Sequence, residues 1–396
     1  MPTTITFFPV DNGDMTLLKF GDAAGTTLLI DVNIRKDADD PDSAEYRDVA
    51  KDLRNQLKKD SDGRPYVDAF LLSHPDEDHC RGIDRHFHLG ALADYPDDDK
   101  DYSEKKIVIR EIWSSPIVFR RASKNHTLCK DAKKFSKEAR RRVQVNREKN
   151  FAVTHGDRIK VLGEDEKNKT DDLTPICHKV GSSFSSITGV ESWFFTAHLL
   201  GPFDPQDKKD EEELLAKNQS SVIINFKLAA DILNPDGANF LTGGDAGVYI
   251  WSEQWARHSH EPDVFKYDLL QAPHHCSWRT LSKDSWSDKG RNATVDDNAR
   301  KALSQALEGA IIVSSSKPIL DDDNDPPCIR AKEEYEDILS EVGGEFYCTG
   351  EYPSDKAVEP LVFAIGSGGV TPPSKKSGGP KSAAIAGTAK TPLPHG

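Results

Sequence analysis

Val67-Asp-Ala-Phe-Leu-Leu-Ser-His74-Pro-Asp76-Glu-Asp78-His79 is the stretch on which the reading of this chain turns. Its first seven residues are a nearly continuous apolar run of strand length, which predicts a strand covered on both faces by flanking layers. Four side chains able to bind a metal follow within six residues. On an extended segment positions 74, 76 and 78 point one way, and a turn brings His79 round beside them. Imidazole with carboxylate suits zinc, manganese or iron better than a calcium site built only of oxygen. A solvated turn would need acidic residues alone and leaves the two histidines unexplained.

Two further clusters stand in the same context, each closing an apolar strand: Asn239-Phe-Leu-Thr-Gly-Gly-Asp245 and Tyr267-Asp-Leu-Leu-Gln-Ala-Pro-His274-His275. The glycines let the backbone turn tightly ahead of Asp245. An aspartate placed there can bridge two metals, one oxygen to each. Read singly, these are an ordinary turn and an ordinary histidine pair. Their order after the first cluster makes them a candidate set.

Outward from these motifs the pattern is that of a mixed α/β protein. β-rich runs at 4–8, 16–20 and 27–31 predict an opening meander. Strand-like segments recur at 106–113, 192–200, 221–227, 239–242, 267–272, 310–314, 345–348 and 361–365. Helical spacing occupies 42–58, 131–148, 295–307 and 329–342. Runs of strands with helices between them suit two packed sheets with helices outside. The expected division is one domain over 1–365, carrying a basic insertion at about 91–150, and a disordered tail over 366–396, where Gly, Pro, Ser, Lys and Ala dominate. Residues 94–104 and 204–213 read as surface loops.

Composition narrows the function. A formal net charge of −14 argues against a general nucleic-acid-coating protein. Between Arg120 and Lys149, however, lies a basic island that includes Lys133, Lys134, Lys137, Arg140 and Arg141, a candidate polyanion contact or else a solvated helix face. No apolar run reaches the roughly 18 residues of a membrane span, and no secretory leader pattern opens the chain. Six scattered cysteines do not form the dense framework of a small secreted domain. A cytoplasmic protein without membrane partners is the expectation.

The motifs His74-x-Asp-x-Asp-His79, Thr242-Gly-Gly-Asp245 and Ala272-Pro-His-His-Cys-Ser277, in this order, resemble the metallo-β-lactamase superfamily, in particular the branch typified by the soluble hydrolase domain of the ComEC DNA-uptake protein. Val10-Asp-Asn-Gly-Asp14, Leu28-Leu-Ile-Asp31, Asn218-Gln-Ser-Ser-Val222 and Ile311-Ile-Val-Ser314 are similar to other stretches of that branch. The resemblance spans roughly residues 4–365 and implies an αββα four-layer sandwich. It makes His74 and Asp76 ligands of one divalent ion, zinc or manganese. Asp78 and His79 become ligands of a second, Asp245 a bridge, and one of His274 and His275 a terminal ligand of the second. A further ligand for the first ion falls to Asn218 or, less well aligned, His198.

What the resemblance implies about activity is metal-dependent hydrolysis with Asp78 and Asp245 handling the attacking water. A nuclease or phosphodiesterase is expected, nucleic acid being the substrate held by Lys133, Lys134, Lys137, Arg140 and Arg141. Trp278 and Trp286 could stack bases. A small ester such as a cyclic nucleotide is the alternative substrate. A non-catalytic interaction protein that retains the fold is the alternative class. Cys80 and Cys276 depart from the branch pattern beside expected ligands, which raises a soft ligand or redox-sensitive thiol.

Overall fold

Short runs of threonine and large apolar residues build the N-terminal strands, and the computed structural model describes residues 2–39, 46–120, 127–165, 168–203 and 218–373. Two mixed sheets result. In the first, β1 (Thr3–Phe7), β2 (Thr16–Lys19) and β3 (Thr27–Ile30) form an antiparallel meander, and β4 (Pro65–Leu72), β5 (Ile107–Ser114) and β6 (Arg158–Leu162) continue it in parallel. In the second, β7 (Phe195–Gly201), β8 (Ile223–Leu228) and β9 (Ala238–Thr242) are antiparallel, and β10 (Tyr267–Gln271), β11 (Ala306–Ser314) and β12 (Glu345–Cys348) follow in parallel. The chain then returns to the first sheet, where β13 (Leu361–Gly366) pairs with β1.

Three buried clusters show how the elements stack. One takes side chains from both sheets, among them Phe7, Leu28 and Leu71 with Phe226, Phe240, Leu269 and Ile311. A second sets the outer face of the first sheet against α1 (Val49–Gln56) and α5 (Lys130–Glu148). The third sets the outer face of the second sheet against α6 (Val248–His258), α7 (Asp297–Leu303) and α8 (Ile329–Ser340). Between α1 and α5 come the short α2 (Glu77–Cys80), α3 (Ile83–His86) and α4 (Pro116–Arg120). The alternating faces of β4 explain its apolar run: Leu71 enters the inter-sheet core while Phe70 and Leu72 meet the helices.

Several expectations need correction. The segment 91–150 is not an insertion, because it supplies β5 from the middle of the first sheet and α5 from its covering layer. Ala132, Phe135, Ala139 and Val143 recur at helical spacing and are buried, so half of the basic helix is core. Residues 369–371 do not belong to a tail: Gly369, at φ +93°, turns the chain back as a two-stranded hairpin, and β14 (Gly369–Thr371) pairs with β13. Helix α6 is not expected from the sequence, and the helix expected over 295–307 stops at Leu303, where β11 soon begins. The loop expected at 204–213 and the tail from 374 lie outside the described residues.

Candidate metal centre

Strand ends from both sheets converge on one edge of the molecule, the usual place for a ligand in an open α/β arrangement. The loop after β1 carries Asp14, β3 runs into Asp31, and β4 runs into Ser73 and His74. From the second sheet β9 delivers Asp245 and β10 delivers His274 and His275. The Val222 amide donates to the Ser73 carbonyl at 3.0 Å and joins the sheets at this point.

Two glycines make the approach possible. Gly13 sits at φ +147°, and a Cβ there would lie 2.7 Å from the Asp78 carbonyl oxygen. Gly244 sits at φ +49°, and a Cβ would meet the Ser73 hydroxyl at 2.8 Å. His274, His275 and Cys276 all adopt positive φ, at 53°, 53° and 64°. Three consecutive non-glycine residues in this region store backbone strain, which persists where surrounding structure enforces it and recurs at functional sites.

Asp245 is the centre of the arrangement and its two oxygens face different partners. Oδ1 lies 3.0 Å from His79 Nε2 and 3.4 Å from His275 Nε2. Oδ2 lies 3.5 Å from His74 Nε2 and 3.6 Å from His274 Nε2. On the first side Asp78 Oδ2 approaches His275 Nε2 at 3.4 Å, and the Nε2 atoms of His79 and His275 are 3.2 Å apart. On the second side Asp76 Oδ2 lies 3.8 Å from His74 Nε2, and Asn218 Nδ2 lies 3.5 Å from His274 Nε2. The expected residues His74, Asp76, Asp78, His79, Asn218, Asp245, His274 and His275 are thus all brought together. The sequence leaves open which histidine of the pair belongs here; each flanks a different oxygen of Asp245.

Two aspartates join the site that the motifs do not mark. Asp14 is buried, with Oδ1 at 3.4 Å from His275 Nδ1, and it forms with His79, Asp245 and His275 a set of atoms within 4.8 Å of one another that could hold a metal ion. Asp31 Oδ2 lies 2.7 Å from His79 Nδ1 and accepts from the Ser73 hydroxyl, while Oδ1 accepts the Ser73 amide at 2.7 Å. Their signals in the sequence are the Asp-Asn-Gly-Asp turn and the Asp that ends Leu28-Leu-Ile-Asp31.

The electrostatics ask for cations. Burial works against charge on His79, yet Asp245 and Asp31 hold it well above the ordinary imidazole value. Burial likewise opposes charge on His275, and Asp245, Asp14 and Asp78 carry it to about 10. Burial would raise Asp78 and Asp245, but the neighbouring histidines, led by His275 and by His79 respectively, hold both below the usual carboxylate range. His274 is lowered by burial. Buried polar atoms at Asp14 Oδ1, His74 Nε2, Asp245 Oδ1 and His275 Nδ1 have no hydrogen-bond partner. Orphaned buried acceptors and imidazole nitrogens aimed at one another fit a bound divalent ion, which would take the place of the histidine protons. The side chains of Asp78, Asp76 and His274 are 33%, 23% and 15% exposed, so the site opens to solvent on their side and is closed behind His79 and His275.

Other candidates fall elsewhere. His198 hydrogen-bonds Ser183 Oγ at 3.0 Å on β7, away from the cluster. Trp278 and Trp286 are packed in the core under the second sheet and offer no stacking face. On α5, Arg140 donates to the Phe119 carbonyl at 2.6 Å, and Arg141 pairs with Glu138 at 2.7 Å and Asp157 at 2.8 Å. Lys134 approaches Asp84 at 3.8 Å, while Lys133 and Lys137 are exposed. The helix is therefore a structural layer whose N-terminal end adjoins α2 and α3, not a cap laid over the cleft. No protein-family model matches the chain, and no curated protein matches it. No helix among the described residues is long and apolar enough to cross a membrane.

Proposed function

We propose that this chain is a metal-dependent hydrolase of the metallo-β-lactamase fold, an αββα sandwich, acting on phosphodiesters with two divalent ions, zinc or manganese, that Asp245 and its neighbours would hold. The observation that carries the reading is the division of the Asp245 carboxylate, one oxygen toward His79 and His275 and the other toward His74 and His274. Asp14, Asp78 and His275 would complete the first position; Asp76, Asn218 and His274 the second. Such ions, when bound, would lower the pKa of water at the site and neutralise charge on attacking and leaving oxygens. His274 takes the place that a mid-chain histidine would fill in the resembled superfamily.

The residues divide the remaining work. Asp78, partly exposed at the rim, would orient the attacking water and receive its proton. Asp31 holds the Nδ1 atom of His79, which fixes the direction of its Nε2, while Asp14 Oδ1 stands 3.4 Å from His275 Nδ1. The open rim at Asp76, Asp78 and His274 admits the substrate. Among the described residues of the basic island, Lys133 and Lys137, exposed on α5, would be free to meet a polyanion.

The test is cleavage of labelled single- and double-stranded DNA and RNA with manganese or zinc, comparing the wild type, His79→Ala and a chelator control. Cleavage that needs both metal and His79 supports a nuclease. Two bound ions without cleavage would replace nucleic acid by a small phosphodiester such as a cyclic nucleotide. A protein that takes up neither zinc nor manganese would overturn the hydrolase in favour of an interaction protein.

A further inference from the structure

Cys80 and Cys129 are 49 positions apart in the chain, and the fold brings their sulfurs to 3.6 Å. Cys80 is the last residue of α2 and is fully buried; its thiol faces the Asp76 carbonyl oxygen at 3.2 Å. Cys129 is the N-cap of α5, half-buried, and its sulfur accepts the Ala132 amide at 3.3 Å. The surrounding frame is fixed, because Asp131 in the first turn of α5 accepts the amides of Gly82 at 2.8 Å and Asp84 at 3.3 Å.

The two sulfurs are chemically unequal. Cys129 lies at the positive end of a 19-residue helix, a position that favours thiolate. The Cys80 hydrogen bond, against the effect of burial, brings it down to about 7. Cys80 stands behind it, fully buried, with its thiol donating to the Asp76 carbonyl. An accessible nucleophilic sulfur with a second sulfur waiting behind it is the arrangement of a redox couple. Cys276, Cys328 and Cys348 are all buried, and Cys276 turns its sulfur to the Cys328 carbonyl at 4.0 Å.

We infer that Cys80 and Cys129 are a reversible redox modification site, closing to a disulfide with a hydroperoxide as oxidant and reopening with a dithiol. The Cys129 thiolate attacks the peroxide, the O–O bond breaks, and one water (from hydrogen peroxide, with a proton taken up) leaves a sulfenic acid. The Cys80 sulfur then attacks that sulfur, its S–H proton leaves with the hydroxyl as a second water, and the S–S bond forms. Two thiols lose two electrons and two protons, and one peroxide is reduced to two waters. The sulfurs need only close from their present separation to about 2.05 Å. The bond would tie α2, which carries Asp78 and His79, to the start of α5.

Full-length protein treated with hydrogen peroxide, alkylated and mapped by mass spectrometry tests this directly. A peptide pair joining Cys80 to Cys129, two hydrogens lighter than the reduced pair and restored by dithiothreitol, is expected. Cys129→Ser should abolish the link. Cys80→Ser should leave a Cys129 sulfenic acid that dimedone captures, followed by sulfinic acid. Mapping the wild type decides the matter even if a variant folds poorly. Both thiols remaining alkylatable, Cys129 passing to sulfinic acid in the wild type, or a link to another cysteine would each overturn the inference.

Discussion

Asp31 Oδ2 lies 2.7 Å from His79 Nδ1, so the other imidazole nitrogen is aimed at the Asp245 carboxylate 3.0 Å away. Asp31 is itself held by both the amide and the hydroxyl of Ser73, at the end of β4. A single residue of the first sheet thus orients the histidine that meets the second. Replacing it by Asp31→Asn should weaken metal affinity by about 10–100-fold. Competition with a chromophoric chelator measures this, and unaltered affinity would remove Asp31 from the positioning role.

The two sides of Asp245 predict separable ions. His274→Ala should lower the bound metal from two equivalents toward one, and His275→Ala should empty the opposite position. Asp245→Ala should deplete both. Elemental analysis of the purified variants reads the stoichiometry, and a His274→Ala protein that keeps both equivalents would restrict that histidine to the rim.

At Gly13 the structure allows no side chain, since a Cβ would strike the Asn33 amide at 2.1 Å and the Asp78 carbonyl at 2.7 Å. Gly13→Ala should cost about 1–3 kcal/mol of stability through strain and displacement of the loop. Because the next residue is Asp14, metal uptake should fall as well. Denaturant melts with and without zinc separate the two effects.

Glu138 makes the acid limb of stability testable. Burial would raise it, but the hydrogen bond from Arg141 and the charge of Arg142, whose Nε lies 2.8 Å away, hold it below the usual range. Stability from a lowered carboxylate is fully present above its unfolded value, about 4.3, and is lost as pH falls through the folded value. Glu138→Gln should therefore cost roughly 3–5 kcal/mol at neutral pH, as breaking a buried pair does. The difference from wild type should narrow below about pH 4. A deficit independent of pH would point to packing.

The basic helix should respond unevenly. Arg141→Ala should lower stability, because the side chain bridges Glu138 and Asp157. Lys133→Glu with Lys137→Glu should spare the fold and flatten the salt dependence of nucleic-acid binding, by about 0.9 in logarithmic slope for each phosphate of duplex DNA that is no longer neutralised. An unchanged slope would exclude these lysines from the substrate path.

Most of the first sheet and the metal-binding motifs are legible in the sequence because their signals are local. The apolar run 67–73 and the dense His-Pro-Asp-Glu-Asp-His that follows need no partner to be recognised. Asp14 and Asp31 are not legible as site residues, since a lone aspartate in a turn or at a strand end gains meaning only from the histidine that the fold sets beside it. The same limit hides the inner face of α5. Arg142 is 1% exposed and donates to the carbonyls of Ile109 and Arg158, which tie the helix to β5 and β6; by charge alone it is one more basic residue in an island. Helix α6 escapes notice because its apolar residues, Val248, Ile250, Trp251 and Trp255, follow a glycine-rich turn with no side-chain cap.

The bond from the Val222 amide to the Ser73 carbonyl marks the seam where the two sheets meet, and the residues about it come from widely separated parts of the chain. His79 and His275, whose nitrogens nearly touch, are separated by 196 positions. During synthesis a nascent chain that has completed the first sheet's opening strands would still lack Asp245 and both late histidines. On the proposed reading, metal could load only once His275 has emerged and met the first sheet, and a chain ending before that residue would lack part of the ligand set.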